Sequence, residues 1–501
     1  MSAADLDPAL LAFLSDPASH DGQPVETIET HGARVFLAGE RALKLKKPVS
    51  LGYLDFSTVE KRRAALEAEL EINRPNAPQI YDRLGWITKS GGALALDGAG
   101  ARIEPVLIMR RFASDALYSA IADAGALDIG EARNLARAVR ESHARAPAHA
   151  APDGFRRACD VLGLASKRLA GAGADSRRVA AVHQTIVARF TRLKTLLDAR
   201  AASGFVRRCH GDLHLSNIVR IDGCPVLFDA LEFDEDLATI DMVYDLAFLL
   251  ADLARRGLRA EAQTVLSQYL AGEDTDVGAA GAALADPFSA LRCLVRALTL
   301  RHRGGADDES ASDAWLDTAE DFAAPRPARL IAVGGLSGTG KSTVADGLGL
   351  TLGGPAGLWV IKSDVERKAS LRLNWSDRIP PEAYTREASE TVYTRQRAKA
   401  KAALKAGASV ILDAVHSRPE EREAAERIAA EAAVPFAGIW LDADRDTLLA
   451  RVAARTGDPS DADVAVVGKQ AAYDPGPVGW ARIDASGPRD AVLKRALAAI
   501  A

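Results

Sequence analysis

Cysteine is scarce in this chain, and where it occurs it is scattered: Cys159, Cys209, Cys224 and Cys293 form no Cys-x-x-Cys pair. That pattern speaks against a disulfide framework and against a cysteine zinc module, and leaves reduced thiols in structural roles. Net charge is slight as well. With 63 Lys and Arg against 68 Asp and Glu, a net charge of −5 and both signs interspersed, nothing general calls for nucleic acid or an anionic membrane as partner, although a local basic groove stays compatible with it. Long hydrophobic runs are missing too, since the most apolar stretch, Leu246–Leu250, is bracketed by Asp245 and Asp252. The first residues, Met1 to Asp7, are acidic and show no basic-then-apolar leader. A cytoplasmic protein with no membrane partner is expected. Internal repeats are absent, and the Ala-rich stretches near 396–407 and 422–433 space their charges as amphipathic helices do.

A chain of 501 residues exceeds one ordinary domain. A boundary falls near residue 325, where a polar loop, Gly304–Ser310, and one last helix from Asp313 to Phe322 give way to the stiff connector Pro325-Arg-Pro327. Two domains are expected, residues 1–324 and residues 325–501.

The second opens on Gly335-Leu336-Ser337-Gly338-Thr339-Gly340-Lys341-Ser342, preceded by the apolar run Leu330–Val333 and followed by a helical pattern from Thr343. Strand, glycine loop and helix arrive in the order a phosphate cradle requires. Glycines let backbone N–H groups turn toward phosphate oxygens, the helix adds its positive end, Lys341 reaches the β/γ-phosphates, and Ser342 can ligate Mg²⁺. Nucleotide binding by residues 335–343 follows. Further apolar runs at Leu358–Ile361, Val410–Leu412, Ala437–Leu441 and Trp480–Ile483 alternate with helical patterns, which predicts a five-stranded parallel α/β sheet. Ligands on such sheets gather at the strand carboxyl ends. There stand Asp364, placed to meet an acceptor hydroxyl, and Asp413, placed as a Walker B acid in the Mg²⁺ shell; each has a helix N-cap as its plainer reading.

Over residues 328–501 the chain resembles the P-loop kinases of the gluconate-kinase and zeta-toxin-like group. Beside the phosphate loop, the resemblance rests on Ser363-Asp364-Val-Glu-Arg367-Lys368 and on Arg451-Val-Ala-Ala-Arg455. Asp364 and Arg367 also match the Asp-x-x-Arg element of phage-type polynucleotide kinases, which implies Asp364 as base and Arg367 as contact for the acceptor's phosphate, while Arg451 and Arg455 resemble lid arginines that neutralise the transferring phosphoryl group. A solvated helix face would explain the two lid arginines equally simply. No Asn-Lys-x-Asp guanine signal appears, which favours ATP.

The first domain carries an independent signal in Cys209-His-Gly-Asp212-Leu-His-Leu-Ser-Asn217. An Asp followed five positions later by Asn is the spacing of a kinase catalytic loop, where the acid takes the acceptor proton and the amide holds Mg²⁺. Asn217–Ile221, the turn Asp222-Gly223 and Pro225–Phe228 then read as a hairpin that returns Asp229 beside the loop as a second metal ligand. With Asp241-Met-Val-Tyr-Asp245-Leu-Ala downstream, residues 25–320 resemble the aminoglycoside phosphotransferase family, the small-molecule branch of the protein-kinase-like bilobal fold. The resemblance implies a strand lysine paired with a helix glutamate around the α/β-phosphates. Lys44, with Lys46 on the same strand face as alternative, and Glu69 on the helix 58–73 are the candidates, against a plainer reading as surface lysines. A glycine-rich loop upstream is lacking; Thr30-His-Gly32 is all that precedes the strand.

The reading is thus α/β and α+β, a protein-kinase-like domain fused to a P-loop kinase-like parallel sheet, each using ATP and Mg²⁺ to phosphorylate a small-molecule hydroxyl acceptor. Two other readings stay open: a P-loop kinase regulated by an ATP-sensing pseudokinase domain, and an end-directed polynucleotide kinase. The acceptors and the oligomeric state are not legible.

Overall fold

The computed structural model describes residues 6–30, 32–50, 55–149, 153–453 and 475–500. The chain is a two-domain α/β protein whose residues gather into two compact units, Met1–Leu127 with Arg208–Ile240, and Asp128–Arg207 with Asp241–Ala501. The boundary expected near 325 lies inside the second unit.

The first unit is built on an antiparallel sheet of β1 (Val25–Glu29), β2 (Ala33–Ala38), β3 (Arg41–Lys46), β4 (Tyr81–Ser90), β5 (Ala93–Leu96) and β6 (Ala101–Arg110), in the order β1-β2-β3-β6-β4-β5. Alternation along β3 sorts its side chains. Leu43 and Leu45 join Phe36, Ile87, Val106 and Ile108 in one core with Leu10 and Leu14 of the helix Pro8–Ser15. Lys44 and Lys46 therefore point to the opposite face, where the helix Val59–Asn73 lies, begun by the Thr58 side chain accepting from the Lys61 N–H. Leu66 of that helix packs with Ile80, Tyr81, Leu107, Val219 and Val226. The last two belong to the expected hairpin, β7 (Ile218–Ile221) and β8 (Cys224–Leu227), turned by Asp222 and Gly223 at φ of 50° and 75°.

In the second unit the helix Met242–Arg255 is buried nearly all round, as a central helix must be. The helices Ile129–Arg145, Gly154–Gly171, Ser176–Arg192, Arg259–Ala271, Ala285–Arg303 and Ala306–Ala323 belong to the same unit. The last of these corrects the sequence reading. Most of the polar segment taken for a loop is its first turn, since Asp307, Asp308 and Glu309 meet the positive end of the helix dipole.

The parallel sheet follows as expected: β9 (Leu330–Gly335), β10 (Trp359–Lys362), β11 (Val410–Asp413), β12 (Phe436–Asp442) and β13 (Ala481–Asp484), ordered β10-β11-β9-β12-β13. Every pairing is parallel. Its β-branched strands pack on Val344, Ala345 and Leu348 of the helix Lys341–Leu352. Because β9 has β11 on one side and β12 on the other, the chain reverses direction of growth there, the place at which sheets of this kind bind their ligands.

Candidate active sites

In the first unit, strand alternation and the helix Val59–Asn73 bring two lysines onto one carboxylate. Lys44 Nζ lies 2.6 Å from Glu69 Oε1, and Lys46 Nζ lies 2.7 Å from Glu69 Oε2. Lys44 also reaches Asp229 at 2.7 Å, whereas Lys46 reaches Glu232 at 2.5 Å. Burial works against the Lys44 charge, but the Asp229 and Glu69 carboxylates override it and hold the ammonium well above its ordinary range. The same contact holds the Asp229 carboxyl below its ordinary range against burial, though its side chain keeps 44% of its surface open and solvent tempers the effect.

Asp229 stands at φ 58°, a left-handed conformation that a non-glycine residue adopts at a cost. Three contacts enforce it: the Asp229 N–H on the Tyr81 hydroxyl at 3.0 Å, the Ala230 N–H on Asn73 Oδ1 at 2.7 Å, and Asn73 Nδ2 on the Glu69 carbonyl at 2.9 Å. The helix that supplies Glu69 thus also sets the backbone of Asp229. In the loop before the hairpin, Asn217 Nδ2 donates to the Asp212 carbonyl at 2.9 Å and to Asp212 Oδ2 at 3.1 Å. His210 bonds the Phe228 carbonyl at 2.9 Å, tying the loop to the hairpin end. Lys44, Glu69, Asp212, Asn217 and Asp229 all belong to this unit. Sequence reading missed Glu232, Tyr81 and Asn73. Asn73 alone left a signal, a polar residue on the inward face of an amphipathic helix. After Phe233, Asp234 caps the short helix Glu235–Ala238, its side chain accepting from the Leu237 N–H at 3.0 Å.

In the second unit the phosphate loop joins β9 to the helix Lys341–Leu352. Gly335 sits at φ 135°, and a side-chain carbon there would lie 2.5 Å from the Leu441 carbonyl, so only glycine fits. Lys341 folds over the loop and donates to the Leu336 carbonyl at 3.0 Å, where the Thr339 hydroxyl also donates at 2.8 Å. Ser342 donates to Asp413 Oδ2 at 2.6 Å. Asp413 is buried, and that burial pushes its carboxyl up to about 6, with Lys341 and Lys362 opposing.

Asp364 is the second residue of the helix Ser363–Ser370, after Lys362 at the cap position, so its side chain is not the N-cap. Arg367 is buried and engaged: it donates to the Ala383 carbonyl at 2.5 Å and to Ser389 at 3.3 Å, and covers the Tyr384 ring at 4.9 Å. Gln396, which sequence reading missed, donates to the carbonyls of Ile361 at 2.5 Å and Asp413 at 3.2 Å, stitching together the two strand ends that lead to Asp364 and Asp413. Its signal was a polar residue in the buried stripe Val392, Gln396, Ala400, Ala403. Arg451 lies on the helix Arg445–Ala453, whose Leu448 and Val452 pack on Leu336 of the phosphate loop; its guanidinium donates to the Gly487 carbonyl at 3.2 Å. Arg455 lies outside the described residues.

Two groups of residues suited to phosphates and hard cations, on a kinase-like sheet and on a phosphate-loop sheet, define an ATP-dependent phosphotransferase of the kinase class. Residues 57–284 match the family model described as phosphotransferase enzyme family, and residues 330–475 match that described as AAA domain. Over 492 residues, 93% of this chain and 93% of the relative, it is 32% identical to Uncharacterized protein Rv2004c of Mycobacterium tuberculosis, and equally to Uncharacterized protein Mb2027c of Mycobacterium bovis. The chain belongs to this family of proteins with a phosphotransferase region followed by a P-loop region. Among solved structures, it is similar to a choline/ethanolamine kinase family protein from Mesorhizobium loti (15% identity, 63% of this chain and 93% of that chain, TM-score 0.41). Aminoglycoside 2'-phosphotransferase-IIIa is similar at 17% identity over 63% of this chain and 99% of that chain, TM-score 0.39. A gluconokinase from Sinorhizobium meliloti 1021 is similar at 20% identity over 35% of this chain and 93% of that chain, TM-score 0.25. No helix among the described residues is long and apolar enough to cross a membrane.

Proposed function

We propose that the chain carries two catalytic centres, in residues 1–324 and 325–501, each transferring the γ-phosphoryl group of ATP to the hydroxyl of a small molecule. The observation that carries the reading is Lys44 bonded at once to Glu69 and Asp229, at 2.6 and 2.7 Å, one salt-bridged cluster at the place where a phosphate and its cation would meet. Asp212 is the base that takes the acceptor proton, and its bond from Asn217 keeps its carboxylate oriented. Asn217 through its amide oxygen and Asp229 through its carboxylate would hold Mg²⁺ in the first centre, Ser342 and Asp413 in the second; these hard oxygen donors fit that cation. When bound, the cation neutralises the charge of the phosphates being parted. The residues of the chain supply position and counter-charge, which is most of what phosphoryl transfer requires.

In the second centre, residues 335–343 cradle the nucleotide, Asp364 serves as the acceptor base, Arg367 shapes the acceptor side through the segment it holds, and Arg451 with Arg455 closes on the phosphoryl group. The reaction is placed in the cytoplasm.

The test is an acceptor screen with labelled ATP on the full chain and on two variants, Asp212→Asn and Lys341→Ala. Each acceptor should lose its label in one variant and keep it in the other. Label that disappears only in Lys341→Ala for every acceptor would reduce the first centre to a nucleotide sensor. Label passing only to oligonucleotide ends, in a manner weakened by salt, would replace the small-molecule reading of the second.

A further inference from the structure

The helix Arg259–Ala271 places residues 259, 263, 267 and 271 one turn apart along a single face. All of them engage the phosphate-loop region, three through side chains and Ala271 through its carbonyl. Arg259 donates to the carbonyls of Leu350 at 2.9 Å, Gly354 at 3.1 Å and Pro355 at 3.3 Å, where the helix Lys341–Leu352 runs out. Gln263 Nε2 donates to the Asp346 carbonyl at 3.1 Å, and Gln263 Oε1 accepts from the Leu358 N–H at 3.3 Å. Ser267 Oγ accepts from the Val360 N–H at 3.2 Å. The Ala271 carbonyl accepts from Lys399 Nζ at 2.7 Å, and the same ammonium meets Glu366 of the helix Ser363–Ser370 at 2.6 Å.

This register has a simple origin. Four helical residues advance about 6 Å and two strand residues about 6.6 Å, so Gln263 and Ser267 meet successive outward amides at 358 and 360. Those amides belong to β10 and the residue before it, and β10 is an edge of the parallel sheet. An edge leaves such N–H groups without a strand partner, and an unpaired buried N–H is costly. Gln263, Ser267, Lys399 and Glu366 are all buried. Glycines make the socket: a side-chain carbon at Gly349 would stand 2.5 Å from Gln263 Oε1, and one at Gly357 2.2 Å.

We propose that the helix Arg259–Ala271, which lies within the phosphotransferase-family match, is the docking element that closes the edge of the phosphate-loop sheet, and that nucleotide in the phosphate loop is felt by this helix. Arg259 and Gln263 grip the far part of the helix whose first residues are Lys341 and Ser342, and Lys399 grips the helix that carries Asp364 and Arg367. Both elements behind the proposed reaction rest on one helix from outside residues 325–501. The partner of this surface is the chain itself.

Hydrogen exchange of the full chain, read by mass spectrometry, tests the dock. Gln263→Ala with Ser267→Ala should speed exchange in peptides spanning 357–362 by at least about tenfold, with peptides of the central strand β9 changing far less. Unchanged protection at 357–362 overturns the proposal. Gly349→Ala gives a second measure that survives any folding defect of the double variant. Alanine is the better helix former, yet here its methyl strikes Gln263. The substitution should lower the melting temperature in the native background and leave or raise it once Gln263→Ala removes the clash; a rise in both backgrounds overturns the dock. The coupling, which rests on the assigned phosphate loop as these two measures do not, is read with ATP and magnesium. Nucleotide should slow exchange in peptides of 259–271, and Lys341→Ala should abolish that slowing. Slowing that persists in Lys341→Ala, or none in the native chain, overturns the coupling.

Discussion

Ser342 donates its hydroxyl to Asp413 across 2.6 Å, closing a link between the phosphate loop and the end of β11. The bond fixes both oxygens toward the same point, one from a helix start and one from a strand end.

The burial of Asp413 has a pH consequence. Asp413 is pushed up to about 6 by burial, from an unfolded carboxyl near 3.8. Between these values the folded chain binds the extra proton, so this group's contribution is fully present below about 3.8 and is lost as the pH rises through about 6. In metal-free protein, Asp413→Asn should therefore gain stability relative to the native chain between pH 4 and pH 7, by no more than about 3 kcal/mol. Magnesium reverses the preference, since it needs the carboxylate. Thermal midpoints against pH, with and without magnesium, check both signs; parallel profiles for the two proteins would remove Asp413 from the metal site.

Lys44 and Lys46 share Glu69 but differ in their second partners, Asp229 and Glu232. Only Lys44 is linked to the carboxylate proposed to hold metal. Lys44→Met should cut first-centre turnover by roughly two decades or more while weakening nucleotide binding. Lys46→Met strands one side of a buried ion pair and should cost about 3–5 kcal/mol of stability instead. Turnover of each variant, normalised to its folded fraction, separates them, and the opposite ranking would make Lys46 the phosphate lysine.

Asp212 and Asp229 should also part. Asp212→Asn is expected to lower phosphoryl transfer by roughly two to four decades with nucleotide affinity spared, because a base acts on the acceptor. Asp229→Ala should weaken magnesium-dependent ATP binding itself. Binding titrations in a Lys341→Ala background isolate the first centre; equal affinity losses in both variants would mean that the two roles are misassigned.

Much of this was legible in the chain because local chemistry and periodicity pointed the same way. The five strands of the second sheet were each marked by an apolar run between helical patterns, and the hairpin before Asp229 by Asp222-Gly223, a dipeptide suited to positive φ. What stayed hidden depends on elements far apart in sequence. Gln263 looks like any polar residue on a helix until Leu358 and Asp346 are brought to it, and Glu232 gains meaning only from Lys46. The start of the helix Ala306–Ala323 was misread because its acidic first turn resembles a solvated loop. Choosing between Lys44 and Lys46 was beyond alternation alone, since period two puts both on one face.

Asp364 offers the sharpest decision about the second centre. It is the second residue of the helix Ser363–Ser370, and Lys362 occupies the cap position, so the capping explanation for this acid falls away. Its remaining structural value is a carboxylate near the positive end of a helix of eight residues, worth a few tenths of a kcal/mol at such a site. Asparagine keeps the shape and loses only the charge. If Asp364 takes the acceptor proton, Asp364→Asn in the full chain should eliminate transfer to any acceptor whose labelling depends on Lys341, while basal ATP hydrolysis by that centre persists, because Lys341, Ser342 and Asp413 are untouched. The melting temperature should move by no more than about a degree or two. Measuring transfer, hydrolysis and melting on one preparation separates the outcomes. Transfer lost with hydrolysis and melting retained assigns the base; transfer retained leaves the acceptor hydroxyl to be activated by position and counter-charge alone, and returns Asp364 to the helix dipole.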